Sequence, residues 1–420
     1  MTKKLYYDFP QFAPDASHAH CDATVTDCRP CEGGYEVLPD ATVLFPEGGG
    51  QLSDEGRVLN QAGEALARIS HAREEGDAVW HTVDTPLTVG SRVQLELDIE
   101  SRQDHTQQHS GEHILSGLAN TLFGAVNVGF HMAKEYATLD LDIFLEEEQL
   151  AALQREANRA VQADTSTVVR LMDAGALAEI PLRKQAQGLQ GEVRIVYVGG
   201  VDSCTCCGTH VTRSGEIGYI KIIAAAKYKG GTRIWFACGL RAVEDSLRDK
   251  ATVDKLARRF SAKPEDVLQA VLRQGEELAA LKREYRGRTS QLLELRAEAL
   301  LRQSEAIGGI TPVFALLTGF DVPELKALAE MLCARDGVLA LLFSQKDGTL
   351  YYQLARSQSG VNVSARELCA AINGLSGGRG GGRDDLAQGS APLTPSMRAE
   401  DTLEQTRAYC LKLLQEYGRK

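Results

Sequence analysis

The sequence predicts an α+β multidomain protein, and three observations carry that prediction. Short apolar runs, alternating or β-branched, fill residues 1–98. Residues 99–245 combine strongly periodic helical runs with further strand-like runs, and a heptad frame follows over 246–306. Beyond Gly308-Gly309, buried-strand runs alternate with helical ones through residues 307–420. A chain of 420 residues has length for about two to four domains, each able to bury a core.

In the first segment the strand-like runs are Val25, Tyr35–Leu38, Ala41–Phe45, Val79–Val83 and Val93–Asp98, punctuated by Gly, Asp and Pro. A small β-barrel is the natural way to bury such runs. Gly48-Gly-Gly-Gln51 follows the run ending at Phe45. Three glycines permit positive φ or a close backbone approach to a ligand, and they equally suit a flexible turn. Gln51 offers both a donor and an acceptor.

The second segment opens on His109-Ser-Gly-Glu-His113, followed by Ile114, Leu115, Leu118 and Leu122, with Gly124 as a stop. Strands are expected at Asn127–His131, Ala137–Asp142, Val193–Val198 and Ile217–Ile223, and a helix over Glu146–Ala163. In the third segment Pro264 opens a long helix. Val267, Val271, Leu278, Leu281, Tyr285, Leu292, Leu295 and Ala299 fall on one a/d frame, interrupted by Gln274, Arg288 and Arg302. The frame suits either a hairpin with residues 241–260 or a homodimer seam. The fourth segment reads as an α/β domain, with strands at Pro312–Leu317 and Gly337–Phe343 and a helix at Pro323–Ala334. Its run Ser376–Gly389 is glycine-rich and carries Arg379 and Arg383. By composition alone it is a linker. Flanked by helices, its free amides and Arg forks suit a loop that binds phosphate or carboxylate.

The net charge of −11 excludes a protein that coats nucleic acid by bulk charge. Residues 217–243 nevertheless lack acidic side chains while holding Lys221, Lys227, Lys229, Arg233 and Arg241. That run is either a solvated strand face or a phosphate-contacting surface. No apolar run approaches the ~20 residues of a membrane span. Met-Thr-Lys-Lys-Leu-Tyr-Tyr-Asp has no signal-peptide core, so a cytoplasmic location without membrane partners is expected. Ten cysteines in so long a chain are not a disulfide framework. Cys28-Arg-Pro-Cys31 reads as a coincidental reduced pair. A second metal site there would have to draw on Cys21, His18 and His20.

The chemistry-bearing residues are two distant halves. His109 and His113, four apart on a helix, share one face. Cys206-Cys-Gly-Thr-His210 sets a thiol and an imidazole around a turn at Gly208. Thiolate and neutral imidazole both suit zinc, so His109, His113, Cys206 and His210 form a candidate set for one zinc ion per chain. Cys204 and Cys207 are expected to pack beside it. Glu112 is placed to serve as a base only if it reaches round the helix, since it projects roughly 100° from His113; it is not counted in the site. Four protein ligands usually close a zinc site, whereas hydrolysis needs an open position.

HSGEHILSG and CTCCGTHV resemble the zinc motifs of the alanyl-tRNA synthetase editing domain and of its freestanding relatives, the AlaX proteins. TVLFPEGGGQLSDEG is similar to a third motif of that family. The glycine-rich run resembles the tRNA-binding loop of the synthetase's C-terminal domain. Together these place nearly the whole chain beside the long form of AlaX. The resemblance implies a barrel similar to that of a translation factor, followed by a zinc-containing editing domain. It aligns His109 and His113, rather than His105, as ligands; His131 reads as structural because its sequence context gives it no partner. The resemblance turns Thr42 and Gln51 toward an editing pocket. The substrate it implies is tRNA for alanine mischarged with serine or glycine, with Arg379 and Arg383 in the loop it matches as tRNA contacts; Lys227, Lys229 and Arg233 join them as candidates from the basic run alone. No segment resembles an ATP-binding aminoacylation domain, so action in trans is expected. A more distant relative, the threonyl-tRNA synthetase editing domain, leaves the acceptor less certain than the reaction. Two rivals stand beside this reading: an RNA-binding protein with a structural zinc, and a metallohydrolase of small esters.

Overall fold

Six strands close into a barrel in the order His20–Cys31, Gly34–Pro39, Ala78–Val83, Ala65–Glu75, Gly56–Leu59, Arg92–Leu97. The structure, a computed structural model, describes residues 1–7, 19–184, 188, 191–393 and 398–417. His18 lies outside the described residues. Alternation along His20–Cys31 turns Cys21, Ala23 and Val25 inward, where they meet Val37, Val58, Ile69, Val83, Val93 and Leu95. The strands Gly56–Leu59 and Ala65–Glu75 carry Arg, Ala and Glu and give little apolar signal.

The expected strand over Ala41–Phe45 shrinks to Ala41–Thr42, which pairs in parallel with Lys3–Lys4 outside the barrel. Side chains replace the missing ladder. The Leu44 N–H donates to Thr42 Oγ1 at 3.0 Å, and the Phe45 N–H donates to Asp54 Oδ2 at 2.6 Å.

The helix Ile99–Phe123 starts at Asp98, whose carboxylate accepts from the Ser101 N–H, and stops at Gly124 with φ 70°. Its residues from His109 to Ala119 are buried on every side. It packs with the helix Glu147–Gln162 and an antiparallel sheet ordered Ile220–Tyr228, Gly231–Cys238, Ala137–Leu141, Asn127–Met132. Val168–Asp173, Glu192–Val198 and Asp202–Thr205 form a three-stranded sheet. A buried ion pair ties helix to barrel: Arg102 forks onto Asp54 and also donates to the Val43 carbonyl at 2.7 Å.

The helical stretch after residue 238 divides. Gly239–Phe260 belongs to a first compact unit, Met1–Pro264, and Val267–Arg302 to a second, Glu265–Lys420. Ser261 is left-handed at the break, and Pro264 stands just beyond it. In the second unit Leu293, Ala297 and Leu300 of the long helix enter the core, whereas the a/d residues Leu278, Leu281, Tyr285, Leu292 and Leu295 are exposed. The sheet there runs Thr311–Thr318, Val338–Lys346, Thr349–Arg356, Leu386–Pro392, Arg379–Gly382, with only the first pair parallel. The glycine-rich run is therefore largely a hairpin rather than a loop, its edge strand Arg379–Gly382 pairing with Leu386–Pro392. A Cβ at Gly380 would overlap the Gln388 carbonyl, and one at Gly382 the Leu386 carbonyl, so the glycines permit the strands' close approach. Among the described residues there are seven α-helices, none long and apolar enough to cross a membrane.

Both tryptophans, Trp80 and Trp235, lie in the first unit, so their fluorescence follows its unfolding. Arg102→Met leaves Asp54 buried without its partner and is expected to cost about 3–5 kcal/mol in urea unfolding. Arg57→Met, which breaks an exposed pair with Glu96, should cost less than about 1 kcal/mol. Equal costs would refute the buried pair's role.

Candidate metal centre

The helix Ile99–Phe123 presents His109 and His113 one turn apart, with ring centroids at 5.2 Å. The loop after Asp202–Thr205 carries Cys206 and His210 against them, the His210 ring lying 4.7 Å from His109 and 4.5 Å from His113. One donor atom from each of these four residues lies within 4.8 Å of all the others. Cys206 Sγ is 3.4 Å from Nε2 of both His109 and His210. The two sequence halves thus meet in the buried interior.

Each imidazole is held through its Nδ1. His109 Nδ1 donates to Gln51 Oε1 at 2.7 Å, His113 Nδ1 lies 2.8 Å from Asp202 Oδ2, and His210 Nδ1 lies 3.3 Å from Ser110 Oγ. Gln51 Oε1 also accepts the Thr209 N–H at 3.0 Å, so both its lone pairs are taken and His109 must carry its proton on Nδ1. Arg183 forks onto Asp202. These supports leave Nε2 lone pairs for the centre, as metal-binding histidines require.

The ligand loop is held just as closely. A Cβ at Gly208 would overlap the His109 ring and sit 2.8 Å from Gln51 Oε1. Three successive carbonyls are occupied: Arg194 Nη1 donates to those of Cys206 and Gly208 at 2.8 and 3.0 Å, and the Tyr7 hydroxyl to that of Cys207 at 2.6 Å. Burial alone would raise the Cys206 thiol, but His109 and His210 together pull it well below its ordinary value. Burial likewise disfavours a charged His113, yet Cys204 and Asp202 hold it well above the usual histidine range. Burial pushes His210 down to about 3. The donor set, three imidazole nitrogens and a thiolate, fits a metal ion.

The other expected residues fall as follows. Gln51 is fully buried, and its amide is spent on His109 and on Thr209, whose Oγ1 accepts from Nε2 at 2.8 Å. Thr42 is also fully buried, with Oγ1 2.8 Å from Nε2 of His81 on a barrel strand, and burial lowers His81 to about 4. Lys227, Lys229 and Arg233 gather on one hairpin, Arg233 lying 3.7 Å over the Tyr228 ring and pairing with Asp140. Arg379 is exposed on the edge strand, and Arg383 pairs with Asp385 at 3.1 Å, both in the second unit. Cys28 and Cys31 sit in a barrel strand and in neither of the two metal-capable groups among the described residues. The second such group, His113, Asp202 and Cys204, shares His113, and the Arg183 fork on Asp202 makes it a support for that ligand.

Glu112, set aside by helical projection, is 4% exposed, and its Oε2 lies 3.9 Å from His113 Nε2. The helix is buried all round here, so a residue 100° away still faces protein. Asp202, Arg183, Ser110, Arg194 and Tyr7 were missed altogether. Only Asp202, a carboxylate four residues before Cys206, gave any signal.

The first unit is thus a barrel and an α+β body whose buried group of three imidazoles and one thiol could hold a metal ion, and the second is an α/β unit. Residues 193–234 match the threonyl and alanyl tRNA synthetase second additional domain, and residues 311–412 match the DHHA1 domain. The chain is 28% identical to the alanyl-tRNA editing protein AlaX-L of Pyrococcus horikoshii, over 97% of this chain and 99% of that protein. It is 30% identical to the alanyl-tRNA editing protein Aarsd1-A of Xenopus laevis, over 87% of each. It is also 30% identical to the alanine–tRNA ligase of Methanoculleus marisnigri, over 98% of this chain but 44% of the ligase. The chain belongs to the alanyl-tRNA editing protein family, in the long form of AlaX.

Metal analysis checks the ligand set. Cys206→Ser and His109→Ala are expected to lose bound metal, and Cys28→Ala to retain it. Asp202→Asn should weaken metal affinity about 10–100-fold by releasing His113. Full metal in the Cys206 and His109 variants would overturn the assignment.

Proposed function

We propose that this protein hydrolyses the ester of mischarged tRNA in trans, removing serine, and secondarily glycine, from tRNA of the alanine acceptor type. The carrying observation is the buried centre of His109, His113, Cys206 and His210, each imidazole fixed by its own hydrogen-bond partner, in a chain related over its full length to alanyl-tRNA editing proteins. Held by these four residues, a zinc ion would supply Lewis acidity toward the ester carbonyl. Gln51 keeps the His109 lone pair directed inward and locks the ligand loop through Thr209. Arg194 and Tyr7 keep that loop from relaxing when the substrate enters. The buried surroundings exclude competing water and strengthen each polar contact.

Thr42 is the proposed reader of the serine hydroxyl, with His81 fixing its rotamer. An apolar pocket rejects a substrate with an extra hydroxyl poorly, whereas one built to hydrogen-bond that hydroxyl favours it. Lys227, Lys229, Arg233, Arg379 and Arg383 are the proposed phosphate contacts. The exposed stripe Leu278, Leu281, Tyr285, Leu292 and Leu295 is the proposed seam of a homodimer. Four protein ligands also suit a closed structural zinc in an RNA-binding protein, and activity separates the two readings.

The wild-type protein is expected to deacylate seryl-tRNA of the alanine acceptor and largely spare the alanyl ester. Thr42→Val should cost roughly 1–3 kcal/mol of that discrimination. Equal wild-type rates on the two esters would sink the assignment, and preference that survives Thr42→Val would move the selector elsewhere.

Deleting residues 265–420 removes the second unit at the observed boundary. The remaining fragment is expected to keep its metal and bind tRNA more weakly, with a shallower dependence on salt. Unchanged affinity at fixed ionic strength would exclude the second unit from tRNA recognition.

A further inference from the structure

We propose that Glu112 is the general base of this deacylation, its free carboxylate oxygen taking the proton of the attacking water. The inference rests on the deacylase reading above. Glu112 stands directly before the second imidazole of the centre, in the order His-x-x-Glu-His. One class of zinc peptidases uses the same order, so the spacing is compatible with hydrolysis. The geometry carries the assignment to this chain. Oε1 of Glu112 is pinned by two donors, the Ser116 hydroxyl and Asn127 Nδ2, the latter at 2.6 Å. Asn127 Nδ2 also donates to Ser116 Oγ at 3.0 Å, closing a small network. Pinning one oxygen fixes where the other lies. Oε2 is directed to the metal-facing nitrogen of His113, 3.9 Å away, because Asp202 holds the opposite nitrogen.

Among the described residues no hydrogen bond ends on Oε2, and Asn127 Oδ1 is buried with no partner. A buried acceptor without a donor is costly, so the Asn127 amide oxygen, on the network that holds Glu112, calls for a small donor, and water meets that requirement.

The step balances without further reagents. The water oxygen bonds to the ester carbonyl carbon while its proton passes to Glu112 Oε2. The tetrahedral species then breaks its bond to the ribose oxygen, which receives the proton from Glu112. The products are the free amino acid and the tRNA hydroxyl, and the carboxylate is restored. Ser116 and Asn127 are positioning residues, since they act through Glu112.

The test is single-turnover deacylation of seryl-tRNA by the full-length, zinc-loaded protein, read beside zinc stoichiometry and the Kd for tRNA carrying an amide-linked serine. Glu112→Gln keeps the hydrogen bond from Asn127 and removes the base. It is expected to lower the rate about 10²-fold or more while zinc content and Kd stay unchanged. Glu112→Ala should regain part of its rate when formate is added, which a structural staple would not do. A Glu112→Gln rate within a few-fold of wild type would overturn the assignment. So would joint loss of zinc and tRNA binding in that variant, or the absence of formate rescue. Wild-type protein inactive on every mischarged tRNA would instead overturn the deacylase reading.

Discussion

A thiolate buried among three imidazoles is stable only if every imidazole is turned the right way round. A histidine proton on the wrong nitrogen would put an N–H where a lone pair is required. The acceptor oxygens of Gln51 and Asp202 prevent this at His109 and His113, and Ser110 Oγ lies 3.3 Å from the Nδ1 of His210. The rest of the first unit follows from bringing those three supports together. Gln51 comes from the barrel side, Ser110 from the ligand helix itself, and Asp202 from the strand that leads into the ligand loop. No single secondary-structure element could supply all three.

This dependence explains features that would otherwise look incidental. The buried Arg102–Asp54 pair fixes the helix against the segment that leads to the glycine loop. The bare Cα of Gly208 lets the ligand loop lie on the His109 ring. Tyr7, near the N-terminus, reaches a carbonyl 200 residues away and so links the first described residues to the centre. The Gln51 amide, fully buried, holds His109 and Thr209. The second unit uses glycine for the same physical reason, close strand approach, although there the outcome is an edge strand rather than a ligand loop.

Much of the architecture was legible in the sequence. Asn127–Met132, Ala137–Leu141, Glu147–Gln162, Glu192–Val198, Thr311–Thr318 and Val322–Cys333 all lie within a residue or two of expectation, because each has a clear apolar period and a punctuated end. Two barrel strands were not, since Ala65–Glu75 alternates small and charged residues and becomes a strand only by pairing with neighbours on both sides. The heptad frame on the long helix was legible as a pattern but not as a contact. Leu278, Leu281, Tyr285, Leu292 and Leu295 of that frame are exposed, and a different stripe enters the core.

The four donor residues were determined by the sequence alone, because helical spacing joins His109 to His113 and a tight turn joins Cys206 to His210. That these halves meet is a tertiary fact, since about a hundred residues separate them and no local rule spans that distance. Tertiary structure likewise decided what surrounds them. Helical projection sets Glu112 aside from His113, but projection assumes a helix with a solvent side. Here the helix is enclosed, so Ser116 and Asn127 could hold one carboxylate oxygen and direct the other to the centre.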